Sequence, residues 1–158
     1  MNAEDFQREA MKLERLLFRI SWSILGSSED CADAIQEALL RAWNKRDTLR
    51  SMRSFRPWLA GIVTHVCNDM LRKRIREKLV PLEDTDVAYE PAPEPLPMQE
   101  AIDTLTPNHR AAVTLHYLEG YSVKETARLL DIPVGTVKTR LLYARQRLQT
   151  LLRDGLEG

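Results

Sequence analysis

The sequence predicts an all-α protein made of two small helical domains joined by an acidic, proline-rich linker. Apolar residues recur at helical spacing in both halves of the chain, and neither half shows a clear alternating strand pattern. Between the halves, prolines and carboxylates without any Lys or Arg fill a segment that can neither form a helix nor bury much surface. We therefore predict a domain over residues 1–78, a flexible linker over 79–98 and a second domain over 99–158.

In the N-terminal half, the first predicted helix is marked by an apolar repeat and ends at the sequence Gly26-Ser27-Ser28. Ser27 and Asp30 can then cap a second helix. The apolar repeat of the first helix consists of Leu13, Leu16, Leu17, Ile20 and Ile24. In the second helix, Ile35, Leu39, Ala42 and Trp43 can face inward, while Asp33, Gln36, Glu37 and Leu40 lie along an outer side. Such an outer polar row is usually only solvated surface.

A third helix follows a loop rich in cations, and Pro57 suits its first turn. The helix is predicted to continue through Arg72 and on to Lys78. The loop cations are Arg46, Arg50, Arg53 and Arg56, and the predicted buried stripe is Leu59, Ile62, Val63, Val66 and Met70. The opposite row is Trp58, Gly61, His65, Asn68 and Arg72, and aromatics among cations are typical of a groove for single-stranded DNA. Trp58 could equally be a core residue.

The C-terminal half contains a predicted helix-turn-helix between Tyr121 and Arg145. Ser122 and Glu125 have the spacing of a capping box, which begins the first helix. Pro133 ends that helix, and we place the turn at Pro133 to Gly135. The second helix is then predicted from Thr136 to about Arg153, with Val137, Leu141, Ala144, Leu148 and Leu151 as its apolar stripe.

The spacing places Thr136, Thr139, Arg140 and Tyr143 opposite that apolar stripe, with Lys138 and Arg145 on the flanks. A recognition helix in the major groove meets base edges with its first turns, while neighbouring cations contact phosphates. A basic amphipathic helix alone more often has a merely solvated face. The capping box, the proline turn and the start of the second helix directly after that turn together favour DNA binding.

Composition narrows the class of protein further. At 158 residues and 44% hydrophobic residues, the chain can bury two modest cores. The formal net charge is +0, yet the run from Arg72 to Lys78 is basic and the stretch from Glu83 to Glu100 is acidic. No apolar run approaches the roughly 20 residues of a membrane span, and the N-terminus lacks the pattern of a secretory signal. We therefore expect a cytosolic protein without direct membrane insertion.

The sequence offers no catalytic or metal-binding pattern. Cys31 and Cys67 are too few for a disulfide scaffold and indicate reduced thiols. His65 and Cys67 are two residues apart, so they point to different sides of a helix, and no second pair of ligands stands nearby. No nucleophile, paired acids or phosphate-binding loop occurs. We expect no metal, no cofactor and no enzymatic activity.

Three segments carry a family resemblance that spans nearly the whole chain. They are EDCADAIQEALLRAW (Glu29 to Trp43), FRPWLAGIVTHVCNDMLRKR (Phe55 to Arg74) and LTPNHRAAVTLHYLEGYSVKETARLLDIPVGTVKTRLLYAR (Leu105 to Arg145). The first two resemble region two, and the third resembles region four, of a bacterial extracytoplasmic-function sigma factor of the sigma-70 family. Region three of larger sigma factors has no counterpart here, which is a mark of this subgroup.

The resemblance implies a subunit that binds core RNA polymerase, through its clamp helices and flap, and directs it to promoters that it helps to melt. By this resemblance, Asp33, Gln36, Glu37 and Leu40, supported by Trp43, bind the polymerase. The minus-ten element is contacted by Arg50, Arg53, Arg56, Trp58, Gly61, His65, Asn68, Arg72, Lys73 and Arg76, which capture a flipped base of the non-template strand. The minus-thirty-five element is contacted by Thr136, Lys138, Thr139, Arg140, Leu142, Tyr143 and Arg145. The linker threads toward the active-site and RNA-exit channels.

The chain departs from the family pattern at positions that matter for promoter choice. The family usually has Asn at the position of His65, and Gly61 and Thr64 replace larger or basic side chains. Tyr143 stands where the family commonly has Arg. Because Arg can donate two parallel hydrogen bonds to guanine and Tyr has one hydroxyl, we expect an unusual minus-thirty-five preference.

Two other classes of function stay open at this point. A stand-alone helix-turn-helix regulator would use the same terminal fold, and normally binds a palindrome as a dimer. A helical interaction module, such as a sigma antagonist, would show no salt-sensitive DNA association. For a sigma factor, the resemblance also implies an anti-sigma factor as a regulatory partner, in the bacterial cytoplasm.

Overall fold

α-Helices dominate both parts of the chain in the computed structural model, which describes residues 1–77 and 96–152. The chain separates into two compact units, Met1–Leu79 and Val80–Gly158. No β-sheet forms within the two described ranges. The predicted all-α class is therefore confirmed, whereas most of the predicted linker, together with Lys78 and Arg153, lies outside the described residues.

The first unit is a bundle in which three helices share one core. Its helices are α1 (Ala3–Lys12), α2 (Glu14–Leu25), α3 (Ser28–Asn44) and α4 (Phe55–Arg76), with 3-10 turns at Arg46–Thr48 and Met52–Ser54. α2, α3 and α4 pack against one another, and α1 packs against α2. Leu17, Ile20, Ile24, Leu59, Val63 and Val66 are among the fully buried side chains. All five predicted apolar residues of the first helical repeat are buried.

The C-terminal end of α2 agrees with the prediction, and its N-terminal end does not. Gly26 has a left-handed φ of 66°, which ends α2, and the Ser27 hydroxyl accepts a hydrogen bond from the Asp30 amide at 3.4 Å. The helix break at Gly26 and the cap formed by Ser27 and Asp30 were predicted. Leu13, however, lies at the junction of α1 and α2 and not inside one helix. The preceding helix α1 was missed because it buries only Phe6 and Ala10, too few apolar positions for a recognisable period.

Small residues, and not the large ones that were predicted, form the buried side of α3. Cys31, Ala34, Ala38 and Ala42 are completely buried. The predicted inward residues Ile35, Leu39 and Trp43 are half-buried, beside the buried Ala42. The physical reason is that small side chains allow close packing of α3 on α2 and α4, so the bulky side chains lie at the margins of the contact. In α4, similarly, Ile62 and Met70 are half-buried while Ala60, Cys67 and Leu71 are buried.

The two cysteines belong to this core. Cys31 on α3 and Cys67 on α4 are free and buried. Burial raises the pKa of Cys67 to about 12, although a hydrogen bond with Ser21 acts in the opposite direction. The Cys67 thiol is therefore protonated at neutral pH and contributes packing and not reactivity.

An ion pair fixes the C-terminal part of α4 to the start of α3. The guanidinium of Arg74 pairs with the Asp30 carboxylate, and its Nη1 donates to the Leu25 carbonyl oxygen at 3.1 Å. Leu25 is the last residue of α2, where carbonyl groups have no partner within the helix. Arg74 thus joins three helices, and its charge serves the fold and not an open surface.

The second unit is arranged around its last helix. Its elements are α5 (Met98–Asp103), α6 (Pro107–Val113), a π-helical turn at Thr114–Leu118, α7 (Val123–Leu130) and α8 (Val134–Leu151). α8 contacts α5, α6 and α7. The core cluster contains every residue of the predicted α8 stripe, namely Val137, Leu141, Ala144, Leu148 and Leu151. The predicted inward side of α8 is therefore confirmed.

The helix-turn-helix has its predicted start and a displaced turn. The Glu125 amide donates to the Ser122 hydroxyl, and the Ser122 amide donates to the Glu125 carboxylate, each at 3.0 Å. After α7, Asp131 has a left-handed φ of 57°, and α8 begins at Val134 with Pro133 as its N-cap. The turn is thus Asp131–Pro133 and not Pro133–Gly135. Proline lacks only an amide that would be unpaired in the first turn anyway, so the helix begins directly after it.

Residues at the end of the predicted linker belong to the second unit in the structure. The Leu96 amide donates to the Leu151 carbonyl oxygen at 2.7 Å, and the Leu96 side chain packs against the core cluster. Pro97 is the N-cap of α5. Leu96 therefore packs as part of the second unit, because burial next to the core stabilises its apolar side chain.

The capping box makes the second unit sensitive to acid. Hydrogen bonds from Ser122 lower the pKa of Glu125, so the ionised carboxylate stabilises the folded state above its unfolded pKa of about 4.3. This contribution is lost as the pH falls through the lowered folded-state pKa. We expect Glu125→Gln to reduce the acid-induced loss of the free energy of unfolding of this unit, as measured by urea denaturation from pH 7 to pH 3.

The three tryptophans provide an internal control for this measurement, because Trp22, Trp43 and Trp58 all lie in the first unit. Tryptophan fluorescence should therefore report an unchanged transition, while far-ultraviolet circular dichroism detects the altered one. An identical pH dependence in Glu125→Gln and the unsubstituted chain would contradict the prediction.

Candidate nucleic-acid and protein interfaces

The outer row predicted on the second helix is an exposed surface of α3. Asp33, Gln36, Glu37 and Leu40 are all exposed, and Leu40 keeps 56% of its surface accessible. A single exposed Leu is common, but here it lies on the same side as two carboxylates and an amide. The row can therefore offer one apolar contact surrounded by polar groups to a protein partner.

Ion pairs and an aromatic contact hold the neighbours of this row in place. Arg41 Nε donates to Glu37 at 3.1 Å, and Arg41 Nη1 approaches the Asp69 carboxylate of α4 at 3.5 Å. Trp43 packs edge to face on Phe6, with 5.4 Å between ring centroids, and the Arg46 guanidinium lies 3.8 Å from the centroid of the Trp43 ring. Arg46, which was predicted among the loop cations, is thus engaged with α3.

The outer row of α4 is accessible along its length. His65 and Arg72 are exposed, while Trp58, Gly61 and Asn68 are half-buried. The Trp58 ring packs on the buried Phe55, with 5.8 Å between centroids. The sequence left open whether Trp58 is a core residue or a residue that stacks on DNA bases. Both are compatible with the structure, because Trp58 packs on Phe55 at the core boundary and is only half-buried.

Basic side chains surround both ends of this row. Arg50, Arg53 and Arg56 before or within the first turn of α4, and Arg72, Lys73 and Arg76 near its end, are all exposed. Arg72 Nη1 lies 3.6 Å from the Asp69 carboxylate. Exposed cations on both sides of an accessible aromatic can follow a phosphate backbone while a base stacks or enters a pocket.

The accessible side of α8 differs from its predicted position. Lys138, Leu142 and Arg145 are exposed, and Leu142 keeps 45% of its surface accessible. Thr136, Thr139 and Tyr143, predicted opposite the core, are half-buried, and Arg140 is buried with 7% accessible. The prediction for Arg140 was wrong because this residue lies three positions after Val137 and four before Ala144, on the side of the stripe.

Contacts within the second unit fix the half-buried residues of α8. The Tyr143 ring stacks on His109 of α6, with 6.4 Å between centroids and an interplanar angle of 28°. The Thr139 hydroxyl donates to the Gly135 carbonyl oxygen at 3.0 Å. A Cβ added at Gly135 would meet no atom within 4 Å, so the first turn of α8 is open to a close neighbour.

Two features of possible functional relevance were absent from the sequence analysis. His109 is completely buried beside Tyr143, and its position three residues before the buried Ala112 is a signal that could have indicated it. In the first unit, a groove of about 780 Å³ between α2 and α3 is lined by residues that include Phe18, Ile35 and Leu39. Phe18 stacks with Trp22 at 6.1 Å beside this groove. Phe18 and Trp22 are four residues apart on α2, and this spacing is the sequence signal that could have indicated their contact.

Across residues 1–77 and 96–152, no helix has the length and apolar character needed to cross a membrane. Within those ranges, no group of three or more His, Cys, Asp or Glu side chains is placed to hold a metal ion.

Comparison with known protein families matches both units. The model described as sigma-70 region 2 matches residues 10–77, and the model described as sigma-70, region 4 matches residues 96–148. These ranges include the exposed rows of α3, α4 and α8. The match to region 2 does not fit a stand-alone regulator that shares only the terminal helix-turn-helix.

Individual proteins agree with this family. The ECF RNA polymerase sigma factor SigM of Mycobacterium tuberculosis is 36% identical over 141 residues, which cover 87% of this chain and 72% of SigM. SigW of Bacillus subtilis, also named an ECF RNA polymerase sigma factor, is 29% identical and is covered to 83%. The sigma factor RpoE, solved with the anti-sigma factor NepR from Bartonella quintana, is 28% identical, with a TM-score of 0.69 and 97% of its chain covered. The chain belongs to the extracytoplasmic-function sigma factors of the sigma-70 family.

Proposed function

We propose that this chain is an alternative sigma factor that binds core RNA polymerase, directs it to specific promoters and helps to melt the minus-ten region. The observation that carries this proposal is the match of both sigma regions to units whose exposed helix faces suit different partners. The protein contributes binding and not catalytic chemistry, and it acts in the bacterial cytoplasm, where its polymerase is. By analogy with RpoE, which was solved with NepR, an anti-sigma factor is its regulatory partner.

The outer row of α3 is the proposed polymerase-binding surface. Leu40 supplies the exposed apolar contact, and Asp33, Gln36 and Glu37 supply polar groups around it. Desolvation of an accessible apolar side chain in an interface favours binding, while the polar groups around it fix orientation. The exposed ion pairs of Arg41 with Glu37 and Asp69 link this part of α3 to α4 beside the row. Trp43 supports the row from its side.

The outer row of α4 and its basic neighbours are the proposed minus-ten surface. Exposed arginines before and at the end of the helix neutralise phosphates of the non-template strand. The accessible part of Trp58 and the side chains of His65 and Asn68 meet unstacked bases, and the small Gly61 leaves room beside them. Capturing a flipped base offsets the few kcal/mol that unstacking costs.

The accessible side of α8 is the proposed minus-thirty-five surface. Lys138 and Arg145 contact phosphates on either side, while Thr136, Thr139, Leu142 and Tyr143 meet the groove. Open space beside Gly135 allows the DNA backbone to approach the first turn, where helix amides favour an anion. Because Arg140 is buried, we omit it from the base-contacting set and assign it to the packing of α8.

The polymerase surface is tested by Leu40→Ala. We expect this variant to weaken equilibrium binding to purified core polymerase by about tenfold, as for loss of an apolar anchor, and to reduce run-off transcription at subsaturating protein. Met11→Ala is the matched control, because Met11 is an equally exposed apolar residue on α1 of the same unit, with 65% of its surface accessible. Failure of the unsubstituted chain to bind core polymerase would remove the proposed function altogether.

The minus-ten surface is tested by His65→Asn, which restores the usual family residue at an exposed position. We expect the variant holoenzyme to prefer a different base at one unpaired minus-ten position, by about fivefold or more, since base contacts contribute about 1–3 kcal/mol. The measurement is competition between fork DNAs that differ only at that base. The control Met11→Ala should keep the original preference, and an unchanged preference in His65→Asn would exclude His65 from this contact.

The minus-thirty-five surface is tested by Tyr143→Arg. We expect selection from promoters randomised at this element to gain guanine at one position, because Arg can donate two hydrogen bonds to guanine, for about 1–3 kcal/mol. Gln149→Arg is the matched control, since it adds the same charge to an exposed site further along α8. Equal selection profiles for Tyr143→Arg and the unsubstituted chain would contradict the assignment of Tyr143 to the groove.

A further inference from the structure

The side chain of Tyr143 lies at the boundary between the core of the second unit and the accessible side of α8. One face of its ring rests on His109, and the residue remains half-buried. Its two neighbours in the chain differ in burial, since Leu142 is exposed and Ala144 is completely buried. Tyr143 can therefore contact DNA only with the part of the ring and the hydroxyl that His109 leaves accessible.

His109 is a fixed support for that ring. It has no accessible surface and belongs to the first turns of α6, which packs against α8. The next residue, Arg110, donates from Nη1 to the carbonyl oxygens of Asp103 and Leu105, at 3.3 and 3.2 Å. These hydrogen bonds tie α6 to the end of α5, and the complete burial of His109 restricts its ring within this part of the core.

The stacking geometry limits the conformations of Tyr143. A centroid distance of 6.4 Å with an interplanar angle of 28° is within the range of an attractive offset pair, which is about 4.5–7 Å. A tyrosine has two side-chain torsions, and a stationary ring against one face restricts both. Less conformational entropy is then lost when the ring meets DNA, which favours the one base pair that fits the fixed position.

We propose that His109 is a positioning residue for promoter recognition, holding the Tyr143 ring so that its free edge selects an A·T pair in the minus-thirty-five element. This inference rests on the proposed function of α8. The chemical reason for A·T is that the aromatic edge makes an apolar contact with the thymine methyl group, whereas a guanine offers acceptors that a single hydroxyl satisfies poorly. His109 itself touches no DNA.

The test compares His109→Leu, which removes the stacking plane, with His109→Phe, which retains it. Each full-length variant is assembled with core polymerase, and promoters randomised over the minus-thirty-five element are selected and sequenced. We expect His109→Leu to weaken the preference at one base pair by about fivefold, the lower end expected for a lost base contact, and His109→Phe to keep it within about twofold. Tyr143→Ala should weaken the preference at that same base pair.

A double variant separates positioning from general damage to the unit. Because His109 acts through Tyr143, His109→Leu should have no further effect on base preference in a Tyr143→Ala background. Leu151→Val, a change in the same core at the last residue of α8, eight positions after Tyr143, should leave the preference unchanged. Circular dichroism shows that each variant is folded at the assay temperature, and His109→Met replaces His109→Leu if the latter is unfolded.

The outcomes distinguish the inference from the function on which it rests. A folded His109→Leu with the original preference, or with changes at base pairs that Tyr143→Ala does not affect, would overturn the positioning role. If Tyr143→Ala and Lys138→Ala both leave minus-thirty-five selection unchanged, the proposed function of α8 is wrong and the inference fails with it. If those two variants alter selection and His109→Leu does not, only the inference fails.

Discussion

The burial of one side of each long helix is the interaction on which both the fold and the proposed surfaces depend. α3, α4 and α8 each contribute one side to a hydrophobic core and leave another accessible. Burial of apolar surface therefore fixes the rotation of each helix about its axis, and the rotation decides which polar side chains are presented. The exposed rows of α3 and α8 lie on the same helices that contribute to the cores. The packing of each core therefore determines which side chains are exposed in these rows.

Aromatic residues at the edges of these buried helix sides pack against the core and also remain partly accessible. Trp58 on α4 packs on Phe55, and Tyr143 on α8 stacks on His109, yet both remain partly accessible. An aromatic ring suits such a position, since one face can be desolvated by the core while an edge remains available to a partner. Residues at the margin are therefore more restricted in conformation than fully exposed side chains, because the core contacts one side of the ring.

Local sequence patterns predicted the features that depend on local interactions. The capping box of Ser122 and Glu125, the helix break at Gly26 and the apolar stripe of α8 were all predicted correctly, because each involves residues within a few positions of one another. The start of α8 was misplaced by two residues, since proline can end one helix or precede the next. α1 was missed because it buries only two residues, too few for a recognisable period. The inward side of α3 was misjudged because side-chain size, and not hydrophobicity alone, decides how closely helices pack.

The sequence by itself determined the helical class, the existence of two domains, the family and the outer rows of residues on α3 and α4. Hydrophobic periodicity and the order of motifs are properties of the sequence and require no knowledge of tertiary contacts. Only the tertiary structure decided that Arg140 is buried, that Arg46 and Arg74 are engaged in the fold, and that His109 supports Tyr143. The physical reason is that these contacts join residues on different elements. Their partners depend on how helices pack against one another, which no single helical repeat specifies.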